Sequence, residues 1–207
     1  MKMRQNPKNW GVLTGKVLSI EHSHYNAQHR PWYKVTLRIN RKTEGKYDDL
    51  PVLVPGWMIT EKNVERDNII KVEGEVRSYT NHHGGWQKRQ IMLYTRYLQV
   101  MANDSEHQNH VHLDGNIYRV LEKRITPATN RRLIIFSLNV KRDIEPYWHD
   151  GIYCIAWGIG ADMIESFGVG KNVKIEGRMN SRNFNKKHSD GTITSELTYE
   201  ISVVTIE

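Results

Sequence analysis

The chain consists of two similar halves, and this duplication restricts the possible folds more than any other feature. Residues 13–17 (LTGKV) are matched 100 residues later by residues 113–117 (LDGNI). Residues 71–76 (KVEGEV) are matched 103 residues later by residues 174–179 (KIEGRM). Repeats in solenoids are only ~20–50 residues long, so this spacing predicts two copies of one small domain.

A polar stretch separates the two copies. Residues 102–109 (ANDSEHQN) contain one alanine and no larger aliphatic side chain, and they lie between two strand-like runs. Domain boundaries fall in segments of this kind. We therefore predict a first domain over residues 9–101, a linker over 102–109 and a second domain over 110–207.

Within each copy, apolar and polar residues alternate with a period of two. Residues 32–40, 70–79 and 173–180 all have this pattern, which is typical of strands with one buried and one wet face. One segment per copy is predicted to be helical, residues 57–65 and residues 161–167, and each lies between the third and fourth strand-like runs. Hairpin turns are predicted at 81–85 and 188–191. Four glycines inside strands, at positions 15, 74, 115 and 177, indicate bulges or sharp coiling.

Five strands with one short helix between the third and fourth is the order of the OB-fold, a small Greek-key barrel. The predicted fold class is therefore all-β, with two tandem OB-fold barrels. Two copies of a binding unit on one chain would make binding bivalent.

The formal net charge of +7 favours a polyanionic partner, first nucleic acid and second an anionic membrane.

Cys154 is the only cysteine, so no intrachain disulfide can form, and a buried apolar role in a reducing compartment is expected. Residues 1–8 carry charge but no apolar run, so we do not expect them to act as a secretory signal, and no apolar stretch is near the ~20 residues of a membrane span. We expect a cytoplasmic protein without membrane contact and without a cofactor.

Basic and aromatic residues alternate on the predicted wet faces, as a binder of unpaired nucleic acid requires. Phosphates attract lysine and arginine, and unstacked bases bind flat apolar rings. In the first copy the candidate residues are Trp32, Lys34, Arg38, Arg41, Arg77, Tyr79, Trp86 and Lys88. In the second copy they are Arg131, Arg132, Lys141, Arg142, Trp148, Arg178, Arg182, Phe184 and Lys186. A single aromatic residue could instead cap a barrel end or form a dimer contact.

Residues 173–184 (VKIEGRMNSRNF) resemble the fourth strand of the bacterial single-stranded DNA-binding protein family, an apolar-x-apolar-Glu-Gly-x-apolar-x-x-Arg-x-aromatic run. The first copy keeps the Glu-Gly core at 73–74, with Asn81 in place of the aromatic. Residues 155–158 (IAWG) resemble the family's aromatic-Gly pair before the helix, which implies base stacking by Trp157. In the first copy the aromatic is displaced by two residues, to Trp57.

The resemblance implies a protein that binds single-stranded DNA with little sequence preference and protects it in replication, recombination, repair or transfer. Two-barrel members form dimers, so a homodimer with four barrels is expected. Members usually end in an acidic, glycine-rich tail that recruits replication enzymes. This chain ends in the strand-like residues 200–207 (EISVVTIE), which makes recruitment by that route doubtful.

Three alternatives remain open at the level of sequence. The same barrel suits single-stranded RNA. One barrel could instead be an assembly module that docks a replication or recombination enzyme. An enzyme is not expected, because no phosphate loop or hydrolase motif occurs, and Asp48 and Asp49 are interpreted as a turn pair. Ten histidines occur without a completing cysteine or carboxylate set, so no metal site is predicted.

Overall fold

The computed structural model describes residues 8–83, 86–127, 129–142, 148–187 and 191–207, with backbone alone for residues 80–83, 86–89, 184–187 and 196. The first copy contains β1 (Asn9–Tyr25), β2 (Pro31–Asn40), β3 (Tyr47–Pro55), α1 (Gly56–Glu61), β4 (Ile69–His83) and β5 (Trp86–Val100). The second contains β6 (Gln108–Ile125), β7 (Arg132–Lys141), β8 (His149–Trp157), α2 (Ile159–Phe167), β9 (Asn172–Lys187) and β10 (Ile193–Ile206).

Each copy closes into a five-stranded barrel. In the first, β1 pairs with both β2 and β4, β2 pairs with β3, β4 pairs with β5, and a short parallel contact between β3 and β5 completes the ring. The second copy repeats these pairings, with β8 and β10 parallel. The helix lies between the third and fourth strands each time, so the predicted fold class of two tandem OB-fold barrels is confirmed.

The alternating apolar residues fill the barrel interiors. Val35 and Leu37 of β2 are fully buried, as are Ile175 and Met179 of β9. Cys154 is also fully buried, and the pKa of its thiol is raised by burial and by the nearby carboxylate of Glu200. The period-two pattern therefore identified the core-facing side of these strands correctly.

The in-strand glycines lie where two backbones approach closely. A methyl group added at Gly74 would lie 2.0 Å from the carbonyl oxygen of Tyr94, and one at Gly177 would lie 2.5 Å from that of Ser202. These distances are far shorter than a van der Waals contact, so no larger residue fits without moving a strand. The predicted bulge occurs between Glu73 and Gly74 on β4.

Both helices differ in extent from the predictions. The first ends at Glu61 rather than at residue 65, and Asn63 has a φ of 50°, which the right-handed helix does not allow. The second begins at Ile159, two residues earlier than predicted, and ends as expected before Gly168 with a φ of 74°. Among the described residues, no helix is long and apolar enough to cross a membrane.

The two barrels are joined edge to edge by an antiparallel pairing of β1 with β6. Residues Asn9 to Thr14 pair with Leu113 to Gln108, so the ten strands form one continuous sheet. Strand β6 begins at Gln108, and the last two residues of the predicted linker therefore belong to a strand. The division into two domains at this linker stays a prediction.

Two reciprocal hydrogen-bonded contacts hold the barrels together away from this pairing. Asp48 accepts hydrogen bonds from the backbone amide and hydroxyl of Ser181, and Asp150 accepts the same pair from Ser78. Each aspartate belongs to one copy and each serine to the other. We call these contacts the reciprocal Asp–Ser contacts.

An arginine of its own copy neutralises each of these aspartates. Asp48 pairs with Arg41 through two hydrogen bonds, and Asp150 pairs with Arg142 at 2.7 Å from Nε to Oδ2. The interpretation of Asp48 and Asp49 as a turn pair is wrong, because both belong to β3 and both are ion-paired. A buried carboxylate is tolerated only beside a partner of opposite charge, and the arginine provides that partner for each of the two aspartates.

Candidate nucleic-acid interface

Three aromatic rings form a row on the outer face of the first barrel. Trp32 on β2 stacks on Tyr94 on β5, with ring centroids 4.7 Å apart. The exposed ring of His24 on β1 lies nearly parallel to the ring of Trp32, with the two centroids 6.3 Å apart. Residues on three strands are brought together because β1 and β3 both pair with β2, and β5 pairs with β3. We call this set of His24, Trp32 and Tyr94 the ring row.

Two arginines cover one end of the ring row. The guanidinium carbons of Arg77 and Arg96 lie 3.8 Å and 4.6 Å from the centroid of Tyr94, which is the geometry of cation–π contacts. Both arginines also pair with Glu75, whose side chain is only 3% exposed. One carboxylate between two guanidinium groups leaves a net positive charge beside the rings, as a phosphate-binding surface requires.

Glu75 shows where the alternation pattern misleads. Its position in the period-two pattern predicts a wet face, and it does lie on the outer side of β4. It is nevertheless buried because the arginines cover it. Such a carboxylate fixes the two arginines in place over the ring.

The aromatic and cationic surface continues across the boundary to the second copy. Tyr79 of β4 lies close enough to Arg77 and Arg142 for their charges to act on its hydroxyl, while burial raises its pKa. The guanidinium of Arg142 lies 5.6 Å from the ring centroid of Trp148, which is 64% exposed. The hydrogen bond to Asp150 raises the pKa of Arg142, so its charge is permanent.

The outer face of the second barrel has a different character. Arg131 lies 5.9 Å from the ring centroid of Trp157, which is half-buried. Further along the face, Arg182 pairs with the nearly buried carboxylate of Glu200. On this face, residues of all five strands line an open recess of about 190 Å³ with a mostly apolar surface.

The other predicted site residues lie at several places on the surface. Lys34 pairs with Glu21, and the hydrogen bond from Lys34 lowers the pKa of that carboxyl. Arg38 pairs with Asp49 and covers the ring of Tyr47. Trp57 on α1 is 50% exposed, Arg132 pairs with Asp162 and Glu165 of α2, Lys141 is exposed, and Arg178 is half-buried. The side chains of Trp86, Lys88, Phe184 and Lys186 lie outside the described residues.

Sequence reasoning missed three members of the first-barrel surface, namely His24, Tyr94 and Arg96. A signal was present, since Met92, Tyr94 and Arg96 alternate with the buried Ile91 and Leu93. Reading residues 91–96 with the same period-two rule would have placed Tyr94 on the outer face. Their association with Trp32 needs the parallel contact between β3 and β5, which the sequence does not reveal.

Histidines pair with a carboxylate on the central strands. His110 and His112 of β6 contact the two oxygens of Glu176 on β9, at 2.8 Å and 2.6 Å. Over the ranges for which side chains are described, no group of three or more such residues is arranged to hold a metal ion.

Comparison with known proteins agrees with this geometry. Residues 108–207 match the single-strand binding protein family, which confirms the resemblance found in the sequence. No curated protein sequence matches the chain.

The fold of the whole chain is similar to that of the wild-type single-stranded DNA binding protein from Thermus aquaticus. That comparison gives a TM-score of 0.71 at 16% identity and covers 96% of this chain and 91% of the other. A deletion and point variant of the same Thermus protein gives a TM-score of 0.70, also at 16% identity, over 96% and 93% of the two chains. At this identity the likeness establishes the two-barrel fold.

Proposed function

We propose that this protein binds single-stranded DNA without a catalytic step and with little sequence preference along most of its surface. The ring row and its two arginines carry this proposal, because they combine flat apolar faces with fixed positive charge on one accessible barrel face. The match of residues 108–207 to the single-strand binding protein family supports it.

The chemistry of the ring row suits unpaired bases. Every base has a π-face, so stacking on an aromatic ring contributes about 1–3 kcal/mol per base whatever the sequence. Trp32 already stacks on Tyr94, so the part of the ring row next to the exposed His24 is the place for a base. Arg77 and Arg96 lie beside the ring row, where the phosphates of the same nucleotides would pass.

A titration of intrinsic tryptophan fluorescence with oligo-deoxythymidine tests this proposal. The variant Tyr94→Leu should weaken binding by about 1–3 kcal/mol, because it removes the ring that supports Trp32 and receives the arginines. Tyr97→Leu is the matched control, since Tyr97 lies on the same strand and is 49% exposed but is not part of the ring row. Equal affinities for both variants and the wild type would refute the stacking assignment.

Salt dependence tests the electrostatic half of the proposal. Neutralised phosphates release counterions, so the logarithm of the affinity should fall linearly with the logarithm of salt concentration, by about 0.7 per phosphate contact. A flat profile would contradict the role of the arginines. Matched RNA oligonucleotides as competitors decide between DNA and RNA as the preferred strand.

The proposal extends to assembly and cellular role. Two chains would combine as a homodimer with four barrels in the cytoplasm and cover exposed strands during replication, recombination, repair or transfer. The basis is the family resemblance together with two barrels per chain. Light scattering of the free protein measures the assembly, and a monomer at working concentration would refute the dimer.

A further inference from the structure

The outer faces of the two barrels differ at one equivalent position. The parallel contact pairs Leu53 with Tyr94 in the first barrel and Ile155 with Ser202 in the second, so Ser202 lies where the first barrel has Tyr94. The tyrosine ring fills the face of the first barrel between Trp32 and the arginines. Serine has no ring to fill the corresponding region of the second barrel, and Glu200, two residues earlier on β10, lines the recess.

The recess has the size and walls for a small flat group. Its volume is about 190 Å³, and Leu121, Ile135 and Tyr153 form its apolar side. Pockets for drug-sized ligands are about 300–1,000 Å³, so this recess suits something smaller, such as a single base ring. Its lining comes from all five strands of the barrel, including Ile135 and Tyr153 on the second and third, the strands whose face OB-folds use to bind oligonucleotides.

A carboxylate with unused hydrogen-bonding capacity lies in the wall. Glu200 is 5% exposed, and Nε of Arg182 donates to both of its oxygens at 3.0 Å. An ionised carboxylate offers about four acceptor positions. Among the residues with described side chains, Arg182 is the one hydrogen-bond donor to Glu200, so acceptor positions remain for a ligand that brings N–H groups.

We propose that this recess binds one nucleobase of the strand and prefers guanine. Guanine presents two adjacent donors, N1–H and N2–H, on a single edge, and they match the two oxygens of the Glu200 carboxylate. Adenine, cytosine and thymine each present fewer donors on that edge. The inference rests on the proposed function, and it makes the second barrel a selective contact within an otherwise unselective surface.

Deoxythymidine oligonucleotides of about 30 residues, long enough for two barrels, provide the test. One central position is replaced by dG, dA, dC or deoxyinosine, and the affinity of each strand for the full-length protein is measured. Because unselective contacts allow the strand to shift, the substituted base can reach the recess. We expect the dG strand to bind about fivefold tighter or more, and inosine, which lacks the N2 amine, to fall in between.

Two variants test whether the preference for dG arises at the recess. Glu200→Gln removes the charge that accepts both donors, and Ser202→Tyr places a ring beside the recess, two residues along β10 from Glu200, where the first barrel has Tyr94. In each variant the ratio of dG to dT affinity should fall to one. Glu73→Gln is the control, since this carboxylate pairs with Lys71 away from the recess, and it should keep the wild-type ratio.

The outcomes separate this inference from the proposed function. Equal affinity of the wild type for dG and dT strands, or a preference that survives both Glu200→Gln and Ser202→Tyr, would overturn the guanine site while leaving strand binding intact. Failure of the wild type to bind any of the strands would refute both. A ratio above one that both variants abolish, in proteins with unchanged circular dichroism, would establish the site.

Discussion

Replacing Asp150 by asparagine should destabilise the protein, because it breaks the buried ion pair with Arg142 at the contact between the two copies. Asp150 accepts two hydrogen bonds from Ser78 of the other copy and carries the counter-charge of Arg142. Asparagine keeps the shape and can still accept from Ser78. It removes the negative charge, so the guanidinium of Arg142 loses its ionic partner in a largely buried place.

The burial of the pair sets the magnitude. The side chain of Asp150 is 1% exposed and that of Arg142 is 16% exposed. Removing one partner of a buried ion pair costs about 3–5 kcal/mol. Arg142 retains some contact with water, so we expect about 2–4 kcal/mol. For a chain of this length 1 kcal/mol shifts the melting temperature by about 2–4 °C, which gives a fall of about 4–16 °C.

Differential scanning calorimetry measures this shift, with Asp67→Asn as the control. Asp67 pairs with Lys16 at 2.7 Å, but the two side chains are 65% and 45% exposed. Exposed ion pairs add little to stability because water and salt screen them, so the control should melt close to the wild type. A melting temperature for Asp150→Asn equal to that of the control would refute the stabilising role of the Asp150–Arg142 ion pair.

Two further predictions concern backbone space and pH. Gly74→Ala should strongly lower the midpoint of urea unfolding, because its methyl group would meet the carbonyl of Tyr94. Gly160→Ala in α2 is the control and should be neutral or stabilising by up to about 1 kcal/mol, since the nearest contact of its methyl group is 3.6 Å away. Equal midpoints for the two variants would contradict this reasoning. Burial lowers the pKa of His107, and its Nδ1 accepts a hydrogen bond from the amide of Asn40. The contribution of neutral His107 to stability is therefore complete above the unfolded pKa of about 6.5 and falls as the pH drops below that value. His107→Gln should therefore flatten the decline of the urea midpoint between about pH 7.5 and about pH 5.5, and an unchanged slope would exclude His107 as the cause.

The fold could be predicted because its signals are local or repeated. Alternation within a single strand identifies the buried face, and the recurrence of Gly15 as Gly115 and of Gly74 as Gly177 places equivalent strands in both copies. The helix boundary was less predictable. Residues 62–65 continue the composition of a helix, but the chain leaves the helical conformation before Asn63.

The site could be predicted only in part, because its contacts depend on register between strands. Trp32 and Arg77 were identified from their own strands. Tyr94 meets Arg77 through the β4–β5 pairing and meets Trp32 through the β3–β5 contact. The pairing of Asp48 with Arg41 and with Ser181 spans 7 and 133 residues of sequence respectively. Local composition carries no record of the second of these partners, and the turn interpretation failed for that reason.

Equivalent positions of the two barrels hold different residues, Tyr94 and Ser202, and this difference shows how the two binding surfaces can evolve separately. In an assembly of identical single-barrel subunits, one codon alters every barrel at once, so specialising one surface also alters its twin. Here each barrel has its own codons within one polypeptide. One barrel can therefore keep an unselective binding surface while mutations give the other a preference for one base. The two barrels remain in a fixed one-to-one ratio because they belong to one chain.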